Sequence, residues 1–290
     1  MNFYAIWPLI IALLHPGYFS YLKPYSFTSI RVSPKVYTKV LSPVVGNGKY
    51  PTLWHVDQWG IVDELPTTPV WLSPKKWQLS NGQGTIRSTP GGDLIRLTLD
   101  SSDSRFGCGE FDLNLEPNAE VVYPGYPVGV TPLEQNPTLN TSSSLRFGAL
   151  QSIESVFQGT RCPEGQNLAT MMMALTFRNI INGQTLFYQV VTYDSRGAQF
   201  NGTWFAAGPS DFGVSDSIDI FSQSPLKASD GPQFYDLEVL PRVKTLISNG
   251  PAGLDTNLSR WKVKDLYLSA NVNGEAKIDS KHGYIFLVGQ

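Results

Sequence analysis

Acidic and amide side chains alternate with apolar ones in the stretch GCGEFDLNLE, residues 107–116. In a β-strand this alternation gives the polar side chains one face, which carries Glu110, Asp112, Asn114 and Glu116. Alternate residues on a strand face lie about 6.5–7 Å apart, so Glu110 and Asp112 are close enough to interact. Two neighbouring carboxylates raise the pKa of one of them, which can then hold a proton and act as an acid.

The third carboxylate of this strand is too distant to complete a pair with the first. Glu110 and Glu116 would be roughly 20 Å apart on a regular strand. A glycosidase needs its nucleophile or base and its acid about 5–9 Å apart. On this strand Glu110 and Asp112 meet that spacing, as do Asp236 and Glu238 elsewhere in the chain. The simpler alternative for residues 107–116 is a half-exposed strand with a solvated acidic face.

This stretch resembles the laminarinase-type, concanavalin A-like glycosidases, in which one strand carries Glu-x-Asp-x-Glu or Glu-x-Asp-x-x-Glu toward a sugar cleft. The first two positions match Glu110 and Asp112. The resemblance implies that Glu110 is the nucleophile and Asp112 its orienting neighbour. The acid/base position is unfilled, because Asn114 stands at the short-form position and Glu116 lies one residue beyond the long-form position. Either a bulge that re-aims Glu116 or another strand would have to supply the acid.

Four of the seven tryptophans fall within 24 positions, at Trp54, Trp59, Trp71 and Trp77. Aromatic platforms bind sugars by stacking on the apolar C–H faces of the rings, but tryptophan is also ordinary core filler. We predict that these four residues bind substrate in an aromatic-lined groove, and core packing is the alternative for each.

A long hairpin organises the rest of the chain. Two runs rich in Phe, Tyr, Val and Thr flank Asn182-Gly183, a pair that suits a two-residue type I′ turn. The arms are predicted near 168–180 and 185–193. A helix over 169–177 competes, since Met, Ala and Leu favour helices, but the turn and the second arm favour strands.

Further strand patterns recur along the chain, split by turn residues. They cover 85–88, 94–99, 106–115, 121–123, 145–157, 200–206, 217–221, 234–240, 261–270 and 284–288, and 243–247 is interpreted as a continuation of the strand before it. No amphipathic helix of three turns is visible after residue 23. Many strands without helices predict an all-β, antiparallel β-sandwich, most simply a jelly roll of the concanavalin A-like type. Residues 261–270 and the final strand also look like the closing strands of that superfamily.

The domain division follows from composition. Residues 50–290 are predicted to form a single sandwich domain, residues 23–49 an extended linker or N-terminal strands, and residues 124–144 a long irregular loop rich in Pro and Gly. Residues 1–22 form an apolar segment that is interpreted as a signal, a membrane anchor or an assembly segment formed by 3–22, with a buried N-terminal segment as the alternative. An export segment would make the protein secreted or displayed at the cell surface.

Charge and metal-binding residues exclude several function classes. The formal net charge is −2, with 22 Lys and Arg and no basic cluster, so no nucleic-acid partner is predicted. Three scattered histidines and no Cys-x-x-Cys predict no zinc site, and no cofactor is expected, although calcium on oxygen ligands is left open. The only two cysteines, Cys108 and Cys162, are either a disulfide or two buried thiols.

Three functions fit these features. The first is a secreted or surface carbohydrate-binding protein that recognises a polysaccharide through the tryptophans. The second is a glycoside hydrolase that uses Glu110 and Asp112, with Glu116 as a further candidate. The third is a structural subunit of a filament, surface layer or capsid, which would self-assemble through residues 3–22.

Overall fold

The fold was obtained as a computed structural model. It describes residues 19–22, 30–32, 44–45, 54–61, 65–66, 70–73, 76–88, 94–117, 136–208 and 210–290. Residues 1–18, the strand predicted at 121–123 and the first part of the predicted loop, 124–135, lie outside these ranges. The predictions made for them stay predictions.

Strands make up most of the described chain. They are β1 (Phe19–Leu22), β2 (Ile30–Val32), β3 (Val44–Val45), β4 (Trp54–Trp59), β5 (Val70–Ser73), β6 (Lys76–Ser80), β7 (Gly84–Ser88), β8 (Leu94–Asp100), β9 (Glu110–Pro117), β10 (Leu145–Gln158), β11 (Leu168–Asn179), β12 (Thr185–Asp194), β13 (Thr203–Gly208), β14 (Asp211–Ser217), β15 (Gln233–Glu238), β16 (Trp261–Asn273) and β17 (Ala276–Gly289). One α-helix, α1 (Leu240–Ser248), is found in the described residues.

These strands form two large sheets. The first has the order β15-β10-β17-β8-β7-β6-β5, with β1 paired to β17, and the second has the order β13-β14-β12-β11-β16-β9-β4-β2-β3. All pairs are antiparallel except β12 with β14 and β2 with β4. The predicted all-β sandwich is therefore confirmed, with two parallel pairs inside a mainly antiparallel arrangement. Strands β1, β2 and β3 show that the part of the chain before residue 50 contributes to both sheets.

The core lies between the two sheets and follows the two-residue period of the strands. On β9, Phe111, Leu113 and Leu115 are buried, while the residues between them are more exposed. On β8, Ile95, Leu97 and Leu99 are buried in the same alternating way. This alternation leaves the other face of the nine-stranded sheet free to carry polar side chains.

The predicted hairpin is confirmed, with arms β11 and β12 paired from Thr170–Asp194 to Arg178–Thr185. The predicted two-residue turn is wrong. Five residues, 180–184, connect the arms, and only Gly183 of the Asn-Gly pair has a positive φ, of 75°. The side chain of Asn179 explains the longer loop, because its Oδ1 accepts hydrogen bonds from the backbone N–H groups of Ile181 and Asn182.

Two other predicted strand segments are helical. Residues 243–247 belong to α1, which begins next to Pro241 and buries Leu240, Val243, Leu246 and Ile247 on one face. Proline suits the first turn of a helix because its missing N–H has no intrahelical partner there. Residues 218–221 form a short 3₁₀ helix after β14. Both segments are short, so their apolar residues mimic a strand pattern.

Cys108 and Cys162 form a disulfide, with their Cα atoms 5.7 Å apart. It joins the loop before β9 to the loop between β10 and β11. Arg161 reinforces this junction by donating hydrogen bonds to the carbonyl oxygens of Ser101, Ser102 and Gly107. No helix in the described ranges is long and apolar enough to span a membrane.

Candidate active site

A cleft of about 550 Å³ opens on the outer face of the nine-stranded sheet. It extends from β9 across β16, β11, β12 and β14 to the edge strand β13. Its lining consists of Glu110, Asp112, Asn114, Glu116, Met172, Phe187, Gln189, Phe205, Ala206, Ala207, Ser215, Tyr267, Ser269 and Asn271. All four polar residues that the sequence places on one face of β9 therefore line the cleft.

Glu110 and Asp112 are held together by one amide. Asn271 is the register partner of Asp112 across the β9–β16 pair. Its Nδ2 atom donates to Glu110 Oε1 at 2.8 Å and also to Asp112 Oδ1. The two carboxyl oxygens are therefore no farther apart than about twice a hydrogen-bond length. This upper limit lies below the roughly 6.5–9.5 Å separation of inverting glycosidases and includes the roughly 5–5.5 Å of retaining ones.

Asp112 differs from an ordinary surface carboxyl in its protonation. The pKa of Asp112 is raised to about 7, because burial and the charge of Glu110 raise it by more than the hydrogen bond from Asn271 lowers it. Glu110, the other member of the pair, is exposed to solvent. Below about pH 7 the pair therefore contains a carboxyl group that is mostly protonated, Asp112, beside one that is open to solvent, Glu110.

Glu116 lies farther along β9, and no bulge brings it closer. The register of β9 is unbroken against β16 from Glu110 to Leu115 and against β4 from Asp112 to Pro117. The predicted bulge that would turn Glu116 toward Glu110 and make it the acid is therefore wrong. Glu116 still lines the cleft, at a position that a longer ligand would reach.

The floor of the cleft carries a hydrogen-bonded polar row. Gln189 donates through Nε2 to the Tyr267 hydroxyl at 3.0 Å and accepts through Oε1 from the Ser215 hydroxyl at 3.1 Å. Strand register explains the row, since Gln189 stands opposite Ser215 on β14 and shares Ala174 of β11 as a neighbour with Tyr267. These amide and hydroxyl groups are of the type that hydrogen-bonds sugar hydroxyls.

The cleft is acidic. Its described lining contains three carboxyl side chains and no Lys, Arg or His. Repulsion between like charges disfavours an anionic ligand at such a surface. In the ranges that the structure describes, no group of three His, Cys, Asp or Glu side chains is arranged to hold a metal ion.

The four tryptophans do not form one groove. Trp77 is 2% exposed and belongs to the core, so its predicted role in substrate binding is corrected to packing. Trp71 is 50% exposed, but it lies on β5 at the edge of the other sheet and does not line the cleft. Trp59 and Trp54 are register partners of Asp112 and Pro117. Their side chains lie outside the described part of the structure, so their predicted role stays a prediction.

Sequence reasoning missed several lining residues: Asn271, Tyr267, Gln189, Ser215, Phe187 and Phe205. The alternation of apolar and polar residues in β16 could have indicated which face Asn271 and Tyr267 occupy. No local signal shows that this face adjoins that of Glu110, because Asn271 and Asp112 are 159 positions apart.

No protein-family model matches the chain, and no curated protein gives a significant match. Solved structures with a similar arrangement include a loop-swap mutant of Xyn11A from Necallimastix patriciarum, with a TM-score of 0.44 and 9% identity over 81% of this chain and all of that one. Another is the xyloglucanase domain of NopAA, a type three effector from Sinorhizobium fredii, in complex with cellobiose; its TM-score is 0.37, with 10% identity over 76% of this chain and all of that one.

A third is the family 11 xylanase from Neocallimastix patriciarum, with a TM-score of 0.35 and 11% identity over 84% of this chain and 94% of that one. Similarities of this size carry no argument about activity.

Proposed function

We propose that the protein is a glycoside hydrolase that cleaves a neutral polysaccharide in the cleft, with Glu110 and Asp112 as its acting carboxyl groups. The observation that carries this proposal is the pair itself: two carboxyl groups share one amide donor in an open cleft, and one of them keeps its proton to about pH 7. Glycoside hydrolysis needs such a protonated acid beside a carboxylate.

The two carboxyl groups take different roles in this proposal. Asp112 donates its proton to the glycosidic oxygen while the C–O bond breaks, and the Glu110 carboxylate attacks the anomeric carbon. A water molecule then displaces Glu110 from the sugar, and Asp112 accepts the proton of that water. The short separation between the carboxyl groups predicts that the anomeric configuration is retained.

The charge of the cleft supports a neutral substrate. The described lining has only acidic charges, which repel polyuronides and sulfated glycans. The floor offers amides and hydroxyls, and its far wall offers apolar side chains, which match the two kinds of surface of a neutral sugar. The disulfide supports action in an oxidising compartment, in keeping with a secreted or surface protein.

Binding without cleavage is the second candidate. The observation in its favour is that Asn271 donates hydrogen bonds to both carboxyl groups. The three side chains thereby form a hydrogen-bonded cluster, which could serve a binding surface as well as a catalytic one. It differs from the first candidate in predicting affinity for a polysaccharide without release of new chain ends. Assembly through residues 3–22 stays a prediction, which the oligomeric state in solution tests.

The experiment measures reducing ends released from soluble β-1,4-xylan, hydroxyethyl cellulose and laminarin, with polygalacturonate as the anionic comparison. We expect release from at least one neutral polymer and none from polygalacturonate. Glu110→Gln and Asp112→Asn should each lower the rate at least about 100-fold, because each removes a group that acts in the transition state.

Glu164→Gln is the matched control, since Glu164 is an exposed loop residue that does not line the cleft. A wild-type protein that releases no reducing ends, or a Glu110→Gln variant as active as Glu164→Gln, overturns the proposal. If the wild-type protein releases no reducing ends but binds a polymer, the binding candidate is supported.

A further inference from the structure

The wall of the cleft opposite β9 contains an aromatic ring seated on a glycine. Phe205 on the edge strand β13 is the register partner of Gly213 on β14. A Cβ atom built on Gly213 would lie 2.1 Å from the Phe205 ring atoms Cε2 and Cζ. The ring therefore covers the space that any other residue at position 213 would fill.

A second aromatic ring adjoins this site. Phe187 on β12 is the register partner of Gly213 on its other side. Residues opposite each other in neighbouring strands point to the same face, and both phenylalanines line the cleft. Phe205, Gly213 and Phe187 thus form one row across three strands, which we name the aromatic shelf.

The shelf remains open to solvent although it is apolar. Phe205 is 40% exposed, whereas the rings packed between the sheets are almost wholly buried. Its strand is the last of the sheet among the described residues, and none of the described strands pairs with its outer edge. An exposed aromatic ring held in a fixed place beside hydrogen-bonding groups is the usual composition of a small-molecule or sugar site.

We propose that the aromatic shelf is a sugar-stacking subsite, remote from the carboxyl pair, that binds one ring of an extended neutral polysaccharide. This inference rests on the proposed function for the identity of the ligand. The apolar C–H face of a sugar ring packs on Phe205, while Gln189 and Ser215, two residues along β12 and β14 from Phe187 and Gly213, supply hydrogen bonds to hydroxyl groups.

The spacing predicts a dependence on ligand length. Five inter-strand steps separate β9 from β13, which corresponds to about 24 Å along the sheet. A disaccharide held at Glu110 and Asp112 does not reach the shelf, whereas a chain of several sugars does. Phe205 therefore selects for long substrates and has no part in the chemical step.

The test measures dissociation constants by calorimetry in a Glu110→Gln background, which prevents cleavage. The probes are β-1,4-linked xylo- and gluco-oligosaccharides, as disaccharides and hexasaccharides, together with soluble xylan and hydroxyethyl cellulose. We expect Phe205→Ala to weaken binding of the hexasaccharides and polymers about 2- to 10-fold and to leave disaccharide binding unchanged. Phe205→Trp should retain binding, because it keeps an aromatic face.

Gly213→Ala tests whether binding depends on the position of the Phe205 ring over Gly213. The added Cβ displaces Phe205, so binding of long ligands should weaken although the phenylalanine is still present. Phe157→Ala is the matched control, because Phe157 is an exposed phenylalanine, 46% accessible, on β10 of the other sheet. Circular dichroism and thermal melting of each variant confirm that it is folded.

The outcomes separate the two proposals. If the wild-type protein cleaves a polymer but Phe205→Ala binds every ligand as Phe157→Ala does, the shelf is overturned and the hydrolase stands. If nothing is cleaved but long ligands bind in a Phe205-dependent way, the shelf stands and the hydrolase fails. If the protein binds none of the probes, the shelf is overturned as well.

Discussion

Asn271 stands directly opposite Asp112 in the β9–β16 pair, and its side-chain amide donates a hydrogen bond to the Asp112 carboxyl group. The same nitrogen donates to Glu110, so one residue fixes the relative position of two carboxyl groups. Because a hydrogen bond to a carboxylate favours its charged form, Asn271 also limits how far the pKa of Asp112 rises.

Removal of this amide should move the pH profile of catalysis. In Asn271→Ala the pKa of Asp112 is expected to rise, because the bond that lowers it is lost while burial and the Glu110 charge remain. As the acid must be protonated, the alkaline limb of kcat/KM should move to higher pH. Asn140→Ala, in an exposed loop, is the control. An unchanged limb together with unchanged activity would contradict the role of Asn271.

The charge of Glu110 also raises the pKa of Asp112, and nuclear magnetic resonance can measure this effect separately. A ¹³C titration of side-chain carboxyl groups should show Asp112 titrating near pH 7 in the wild-type protein. In Glu110→Gln the neighbouring negative charge is gone, so the pKa of Asp112 should fall. In Glu164→Gln it should stay the same. A pKa of Asp112 close to its ordinary value of 3.8 in the wild type would remove the basis of the proposed acid.

The proton on Asp112 links folding stability to pH. The folded protein keeps this proton up to about pH 7, whereas an unfolded chain releases it near pH 3.8. The stabilising contribution of the protonated carboxyl is therefore fully present below about pH 4 and is lost as the pH rises toward 7. Urea unfolding should show the wild type losing at most about 4 kcal/mol relative to Asp112→Asn over that interval. Parallel pH dependences of the two proteins would refute the link.

His282 should make the folded protein less stable as the pH falls, whereas Asp112 makes it less stable as the pH rises. It is fully buried, with Gln151 at Nδ1 and Ser280 at Nε2, and burial lowers its pKa from 6.5 to about 3. An unfolded chain binds a proton at this residue below pH 6.5 while the folded protein does not, so stability is lost as the pH falls from 6.5 toward 3. At pH 5 the loss should be about 2 kcal/mol. The measurement compares urea unfolding of the wild type and His282→Gln at pH 7 and pH 5. An equal loss of unfolding free energy in both proteins would contradict this role of His282.

The Cys108–Cys162 disulfide closes a loop across a sequence separation of 54. Loop-closure entropy assigns a bond of this span about 4 kcal/mol of stability. The double variant Cys108→Ser, Cys162→Ser should therefore unfold at lower urea concentration than the oxidised wild type. Dithiothreitol should lower the midpoint of the wild type and leave that of the double variant unchanged. A wild type that is insensitive to the reductant while its thiols become reactive would contradict the estimate.

Local pattern was sufficient for the strands that carry the carboxyl groups. In β9 every second residue is apolar, and a strand has a period of two, so the sequence alone placed Glu110 and Asp112 on the face opposite Leu113. The hairpin arms β11 and β12 were predicted from another local signal, the runs rich in Phe, Tyr, Val and Thr on either side of Asn182-Gly183. Short segments were predicted wrongly, because the few apolar residues in a stretch of four or five positions fit a strand and a helical turn equally well, as α1 shows.

The sequence does not show which aromatic side chains are buried or which distant strands pair with each other. Nothing local distinguishes Trp77 in the core from Trp71 at an exposed edge, since the difference depends on what packs against each strand. The type of residue therefore indicated sugar binding at the four tryptophans, whereas the structure places three other aromatic residues, Phe187, Phe205 and Tyr267, in the cleft.

The amino-acid sequence by itself determined that the protein is all-β and which side chains share a face of each strand, because these properties follow from the geometry of one strand and its neighbours in the chain. Only the tertiary structure decided that Asn271 joins Glu110 and Asp112, that Phe205 lies on Gly213, and that both sites open into one cleft. Strand order and register are set by the packing of both whole sheets, so residues 159 positions apart become partners without any signal in the sequence between them.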